Sequence, residues 1–248
     1  MRRVLISLAA AMLSFGVPAT AAAAAPPHVL LDITYAPEAG DYALKLSPVV
    51  LEWYSKINAE LYGDDHPLPY EAVVLSFVPS LDYPAATSRN VIRISAAYLP
   101  KMRDDYRAMI IHELTHVVQN YPAGQHAGWL VEGIADYVRH KYFEKDIELT
   151  LHMNSSGRLT GYTDSAPYNH SLEANGADLT DKGYLKAYTI TSTFLYWLEV
   201  RKNKDIVRTL NLALSQGHYA PDIFQTACGK PLDDLWAEFV TESETRKH

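Results

Sequence analysis

Five consecutive residues, His112-Glu113-Leu114-Thr115-His116, carry the clearest chemistry in the chain. In an α-helix a step of four residues turns through about 400°, so both imidazoles leave one face a turn apart and can grip a single metal ion. Glu113, one step along, can reach a water at that ion without ligating it. Metal-assisted hydrolysis needs this arrangement: the ion brings the pKa of water toward about 7, and a carboxylate takes the proton and hands it to the leaving group. Zn²⁺ is the expected cofactor, because imidazole and carboxylate donors suit it.

A catalytic zinc takes three protein ligands and keeps one position open. A third His six residues beyond the pair, with Gly midway, is one established solution, but the chain has Gln119 and Pro122 there. A second apolar stretch follows instead, Trp129-Leu130-Val131-Glu132-Gly133-Ile134-Ala135-Asp136-Tyr137. A helix there, joined to the first by a turn over 121–127, folds back and brings Glu132 beside the His pair as third ligand. Asp136, one turn further, can accept the free ring N–H of a ligating His and fix its tautomer. Unpaired carboxylates among Trp129, Leu130, Ile134 and Ala135 would be costly. Gly133 weakens the helix with no turn to explain it, which suits a side chain omitted beside a metal. His126, in the turn, is an alternative ligand. His28, His66, His140, His152, His170 and His218 have no partner at ligand spacing.

The elements that must position these groups read as α+β. Strands are expected over 29–35, 72–78 and 90–95, the last alternating as an edge strand that can offer its backbone to an extended peptide. Helices are expected over 47–62, with Ser47 as cap and Pro48 at the first position, then 104–121, 128–143, 184–201, 205–216 and 232–242. The polar segment 154–183, rich in Gly, Ser, Asn and Asp, reads as surface loop bordering a site.

Residues 1–25 pair Arg2 and Arg3 with an apolar run and an Ala-rich end, the pattern of a secretory signal rather than a span, so no stable membrane association is expected after its removal. The remaining 26–248 form one domain, expected to be monomeric and secreted or periplasmic. The chain's 22 basic and 29 acidic residues give a charge of -7. Loss of Arg2 and Arg3 takes it to -9, and no basic cluster favours nucleic acid. Cys228 is the single cysteine and reads as a core or helix-end thiol, so no internal disulfide is available. Asn154 and Asn169 head glycosylation sequons that matter only in a eukaryotic host.

The motif around His112 and the segment Glu132-Gly133-Ile134-Ala135-Asp136-Tyr137-Val138-Arg139 resemble the plant basic secretory protein family, a peptidase family of plants and bacteria among the gluzincin-type metallopeptidases. The similarity extends through Tyr188-Thr189-Ile190-Thr191-Ser192-Thr193-Phe194-Leu195, where the family has Tyr-x-x-Thr-x-x-Phe-Leu, and into Leu232-Asp233-Asp234-Leu235-Trp236. The resemblance implies a secreted zinc-dependent peptidase with a zincin-like fold: a small N-terminal sheet whose edge strand holds the backbone of a peptide or protein substrate, the His-Glu-x-x-His helix, and a mainly helical C-terminal half. It also implies Tyr188 as donor to the tetrahedral oxyanion, with Tyr184 as fallback. The acidic charge departs from the basic members. Two other classes fit the same residues: a non-proteolytic zinc hydrolase of cell-wall or glycan amides, and a non-catalytic binding or defence protein with a structural metal.

Overall fold

Strand β1 (His28–Asp32) runs parallel to β2 (Ala72–Val78), with helix α1 (Gly40–Tyr62) as the crossover between them. Two further strands, β3 (Ala85–Ser88) and β4 (Val91–Ser95), form a hairpin across the two-residue turn Arg89-Asn90, where Arg89 is left-handed at φ 56°. The strand order is β1-β2-β4-β3, with only β3 antiparallel. Alternation along the inner strands buries Val73, Leu75, Phe77, Ile92 and Ile94 on one face.

This order corrects one expectation. The segment 90–95 is not an edge strand, because β4 pairs with β2 on one side and β3 on the other. The free edge belongs to β3, whose small residues Ala85-Ala86-Thr87-Ser88 carry no large apolar side chain and no apolar alternation to mark a strand. The computed structural model describes residues 27–102, 105–124, 127–145, 151–153, 159–162 and 181–245. The signal segment, His126, His170, both sequons and most of 154–183 lie outside the described residues.

Helix α1 also starts earlier than expected and runs through Pro48 rather than beginning there. An interior proline costs about 3 kcal/mol. The buried row Ala43, Leu46, Val50, Tyr54, Ile57 and Leu61 continues on both sides of it, and burial of several such side chains at about 1.5–3 kcal/mol each outweighs that cost.

Helix α2 (Tyr106–Gln119) follows, ending where Asn120 turns left-handed at φ 35° ahead of Pro122. Helix α3 (Gly128–Val138) continues into a π-helical turn, Arg139–Glu144, in place of the regular helix expected to 143. A two-stranded ribbon, β5 (Leu151–Met153) with β6 (Leu159–Tyr162), precedes α4 (Tyr188–Arg201), α5 (Ile206–Ser215), α6 (Asp222–Cys228) and α7 (Leu232–Thr245). Helix α6 was not foreseen; it ends at half-buried Cys228 and is closed by left-handed Gly229. Helix α4 begins at Tyr188 rather than 184, because Ala187 and Tyr188 both take positive φ, 63° and 48°, and Ala187, at ψ -166°, is not helical. The result is an α+β fold with a small four-stranded sheet and a mostly helical remainder. Among the described residues, no helix is long and apolar enough to cross a membrane.

Candidate metal centre and active-site cleft

Helix α2 is buried over most of its surface, with Ile110, Ile111, Leu114 and Val117 fully buried, so Glu113, Thr115 and Gln119 are held in the interior. His112 and His116 share the face opposite α3, their rings edge to face at 4.8 Å. His112 Nε2 lies 3.1 Å from His116 Nε2 and 3.1 Å from Glu132 Oε2, and His116 Nε2 lies 3.4 Å from the same oxygen. Ligands about 2.0–2.1 Å from one tetrahedral ion lie about 3.3 Å apart, so these three atoms have the spacing of one face of a zinc coordination shell. His112, His116 and Glu132 are the group among the described residues that could hold a metal. The donor set of two imidazoles and a carboxylate fits zinc chemically.

The outer ring nitrogens face away from this point. His112 Nδ1 lies 2.7 Å from Asp136 Oδ1, and His116 Nδ1 lies 2.7 Å from Gln119 Oε1. Asp136 is buried, with the Arg139 guanidinium 3.9 Å away, and the Thr189 hydroxyl donates to its other oxygen at 3.5 Å. Burial acts to push His112 down, but Asp136 and Glu132 outweigh it and hold the imidazole up at about 10. Burial acts on Glu132 in the opposite sense from its imidazole hydrogen bonds, which prevail and hold its carboxyl down at about 2. Asp136 is likewise lowered, its burial overcome chiefly by the charge of His112. Both carboxylates are therefore ionised at neutral pH.

Glu113 is almost fully buried one step from His112. The Thr87 hydroxyl of β3 sits 2.7 Å from Glu113 Oε2 and 3.0 Å from its main-chain oxygen, and donates to one or the other. The free edge strand is therefore tied to Glu113. Tyr188 stacks on His112 at 6.1 Å, is 54% exposed, and opens into the same cleft. Burial, then the negative charges of Glu132, Asp136 and Glu113, raise its phenol pKa, so it stays an O–H donor at neutral pH. Tyr184 is placed elsewhere: it is buried, and its hydroxyl donates to Asp233 of α7 at 2.6 Å. The cleft, about 1280 Å³, runs from Tyr83, Pro84 and Thr87 of the β3 side past His112, Glu113 and Glu132 to Lys186, Tyr188 and Ile190.

Gly133 requires another correction. A Cβ there would lie 2.1 Å from Thr191 Cγ2, so the missing side chain admits α4 against α3 and not a metal. His140, without a partner at ligand spacing in the sequence, is a buried residue whose Nδ1 lies 3.1 Å from Glu144. Gln119, Thr87 and Arg139 are neighbours of the site that sequence reasoning passed over. Gln119 had a usable signal, three residues after His116 and hence on its helix face. Thr87 had none, since its strand was invisible.

The family described as a peptidase of plants and bacteria matches residues 43–168 and 162–239. No curated protein matches the chain. No solved structure matches it either.

Proposed function

The chain belongs to the family described as peptidases of plants and bacteria, and from that premise we propose that it is a zinc-dependent metallopeptidase, gluzincin-type and zincin-like in fold. The observation that carries the reading is the convergence of His112 Nε2, His116 Nε2 and Glu132 Oε2 beside Glu113 in an open cleft bordered by a free strand edge. His112, His116 and Glu132 would hold the zinc, which when bound supplies a Lewis acid that acidifies water and polarises the scissile carbonyl.

The remaining steps belong to the protein's own side chains. An extended peptide adds along β3, whose backbone edge away from β4 can pair with it in a way that needs no particular side chains. Glu113 takes the proton of the attacking water on the carboxylate oxygen that Thr87 leaves free, and passes it to the departing amine. Tyr188 donates its phenolic proton in a hydrogen bond to the oxyanion of the tetrahedral intermediate. Asp136 and Gln119 hold the imidazoles with Nε2 turned to the ion. The signal-like residues 1–25 support export, and the acidic mature chain supports a soluble, monomeric enzyme outside the cytoplasm.

Elemental analysis with paired variants tests this. The wild type is expected to carry about one zinc per chain and to degrade casein. Glu113→Gln should keep the zinc and lose hydrolysis, whereas Glu132→Ala should lose both. Turnover of casein by Glu113→Gln at the wild-type rate would remove the general base, and a wild type that takes up no zinc would remove the metal.

A further inference from the structure

We infer that Gln119 is the residue that sets the tautomer of His116 and, through the same amide, ties α3 to α2 at the level of the ligands; the inference rests on the metal reading of this site. Gln119 is 3% exposed, so water offers its amide no alternative partner. Its Nε2 donates to the Val131 carbonyl at 3.0 Å, one residue before Glu132. A carbonyl only accepts, so the amide cannot be turned round without setting two oxygens against each other. That places Oε1 against His116 Nδ1 at 2.7 Å, and an amide oxygen likewise only accepts. The proton of neutral His116 is therefore on Nδ1, and Nε2 keeps its lone pair for the shared point with His112 and Glu132. The residue itself is held at the end of α2, where helices fray, by the Tyr62 hydroxyl donating to its main-chain oxygen at 3.0 Å.

The two imidazoles are thus oriented by different chemistry: an anion behind His112 and a neutral amide behind His116. One side chain also links His116 to the backbone beside Glu132, so loss of Gln119 should free both a ligand tautomer and the distance between the two helices. Gln119 is a positioning residue, and its removal should weaken metal binding ten- to hundredfold.

Long-range ¹H–¹⁵N correlation spectra of the metal-free chain, at a pH where His116 is neutral, read the tautomer directly. Zinc dissociation constants from chelator competition read its consequence. The wild type should show His116 protonated at Nδ1. Gln119→Met, close in shape but with no acceptor, should show protonation at Nε2 and zinc binding weakened ten- to hundredfold. Gln119→Glu keeps the acceptor and should keep the Nδ1 proton. A wild-type His116 protonated at Nε2, or Gln119→Met binding zinc within twofold of wild type, overturns the inference. Should Gln119→Met not fold, the wild-type and Gln119→Glu spectra decide. A wild type that shows the Nδ1 proton but takes up no zinc removes the metal reading and leaves the tautomer assignment standing.

Discussion

Glu113 and Tyr188 flank the group His112, His116 and Glu132 from different elements, and their surroundings suit different tasks. Glu113 is buried, with the Thr87 hydroxyl 2.7 Å from Oε2, which orients the carboxylate before any substrate arrives. Tyr188 is half exposed above His112, and partial burial together with three nearby carboxylates keeps its phenol protonated. A hydrogen bond made only to a developing oxyanion lowers the barrier without tightening substrate binding, so Tyr188→Phe should reduce kcat about a hundredfold and leave KM nearly unchanged. Steady-state kinetics on a quenched fluorescent peptide separate the two constants; equal kcat for the variant and the wild type would leave oxyanion stabilisation to the metal alone. The backbone at this residue adds to the case. Two successive non-glycine residues at positive φ, Ala187 and Tyr188, each cost about 1–3 kcal/mol, and such strain clusters where a side chain must be presented.

Among elements, the pairing of α3 with α4 decides whether the site exists. Glu132 and Asp136 lie on one side of α3, while Gly133 on another lets Thr191 approach to where a Cβ would stand 2.1 Å away. An added methyl must displace backbone or a β-branched side chain, and overpacking of this kind typically costs about 1–3 kcal/mol. Gly133→Ala should fall at the upper end, about 3 kcal/mol by urea denaturation, with zinc content dropping as α3 shifts. An unchanged urea midpoint would show that α4 yields without strain. The remaining elements bear on the site less directly. Tyr70 and Tyr62 fasten the end of α2 through Asn120 and the Gln119 carbonyl, and the Arg139–Glu144 ion pair spans the π-helical turn beside Asp136.

For the whole molecule, the metal reading has a thermodynamic consequence. Two imidazoles and one carboxylate converge with partial burial, and a ligand that binds only the folded chain stabilises it by mass action. At a hundredfold excess over Kd this amounts to about 2.7 kcal/mol. For a chain of this length that should raise Tm by roughly 5–10 °C, and a chelator should reverse it. Calorimetric melts with zinc and with chelator check this, and Glu132→Ala should show little of the shift. An equal shift in that variant would place the zinc elsewhere.

Much of the centre was legible in the linear chain because helical periodicity is local. His112 and His116 share a face by arithmetic alone, and Glu132 and Asp136 follow from a short turn between two helices. A continuous apolar run marks β2 and apolar alternation marks β4 for the same reason. Other features depend on groups far apart in sequence. The free edge passed from β4 to β3 because strand order is set by which backbones pair, and four small residues carry no pattern. Pro48 lies inside α1 because burial along a continuous row outweighs a local stop signal. Gly133 serves a helix contact 58 residues away, and Tyr184 left the site because its hydroxyl found Asp233. Ligand spacing is a property of one or two helices and can be read from residue intervals; the partners behind those ligands, Thr87 and the α4 contact above all, exist only once distant segments have packed.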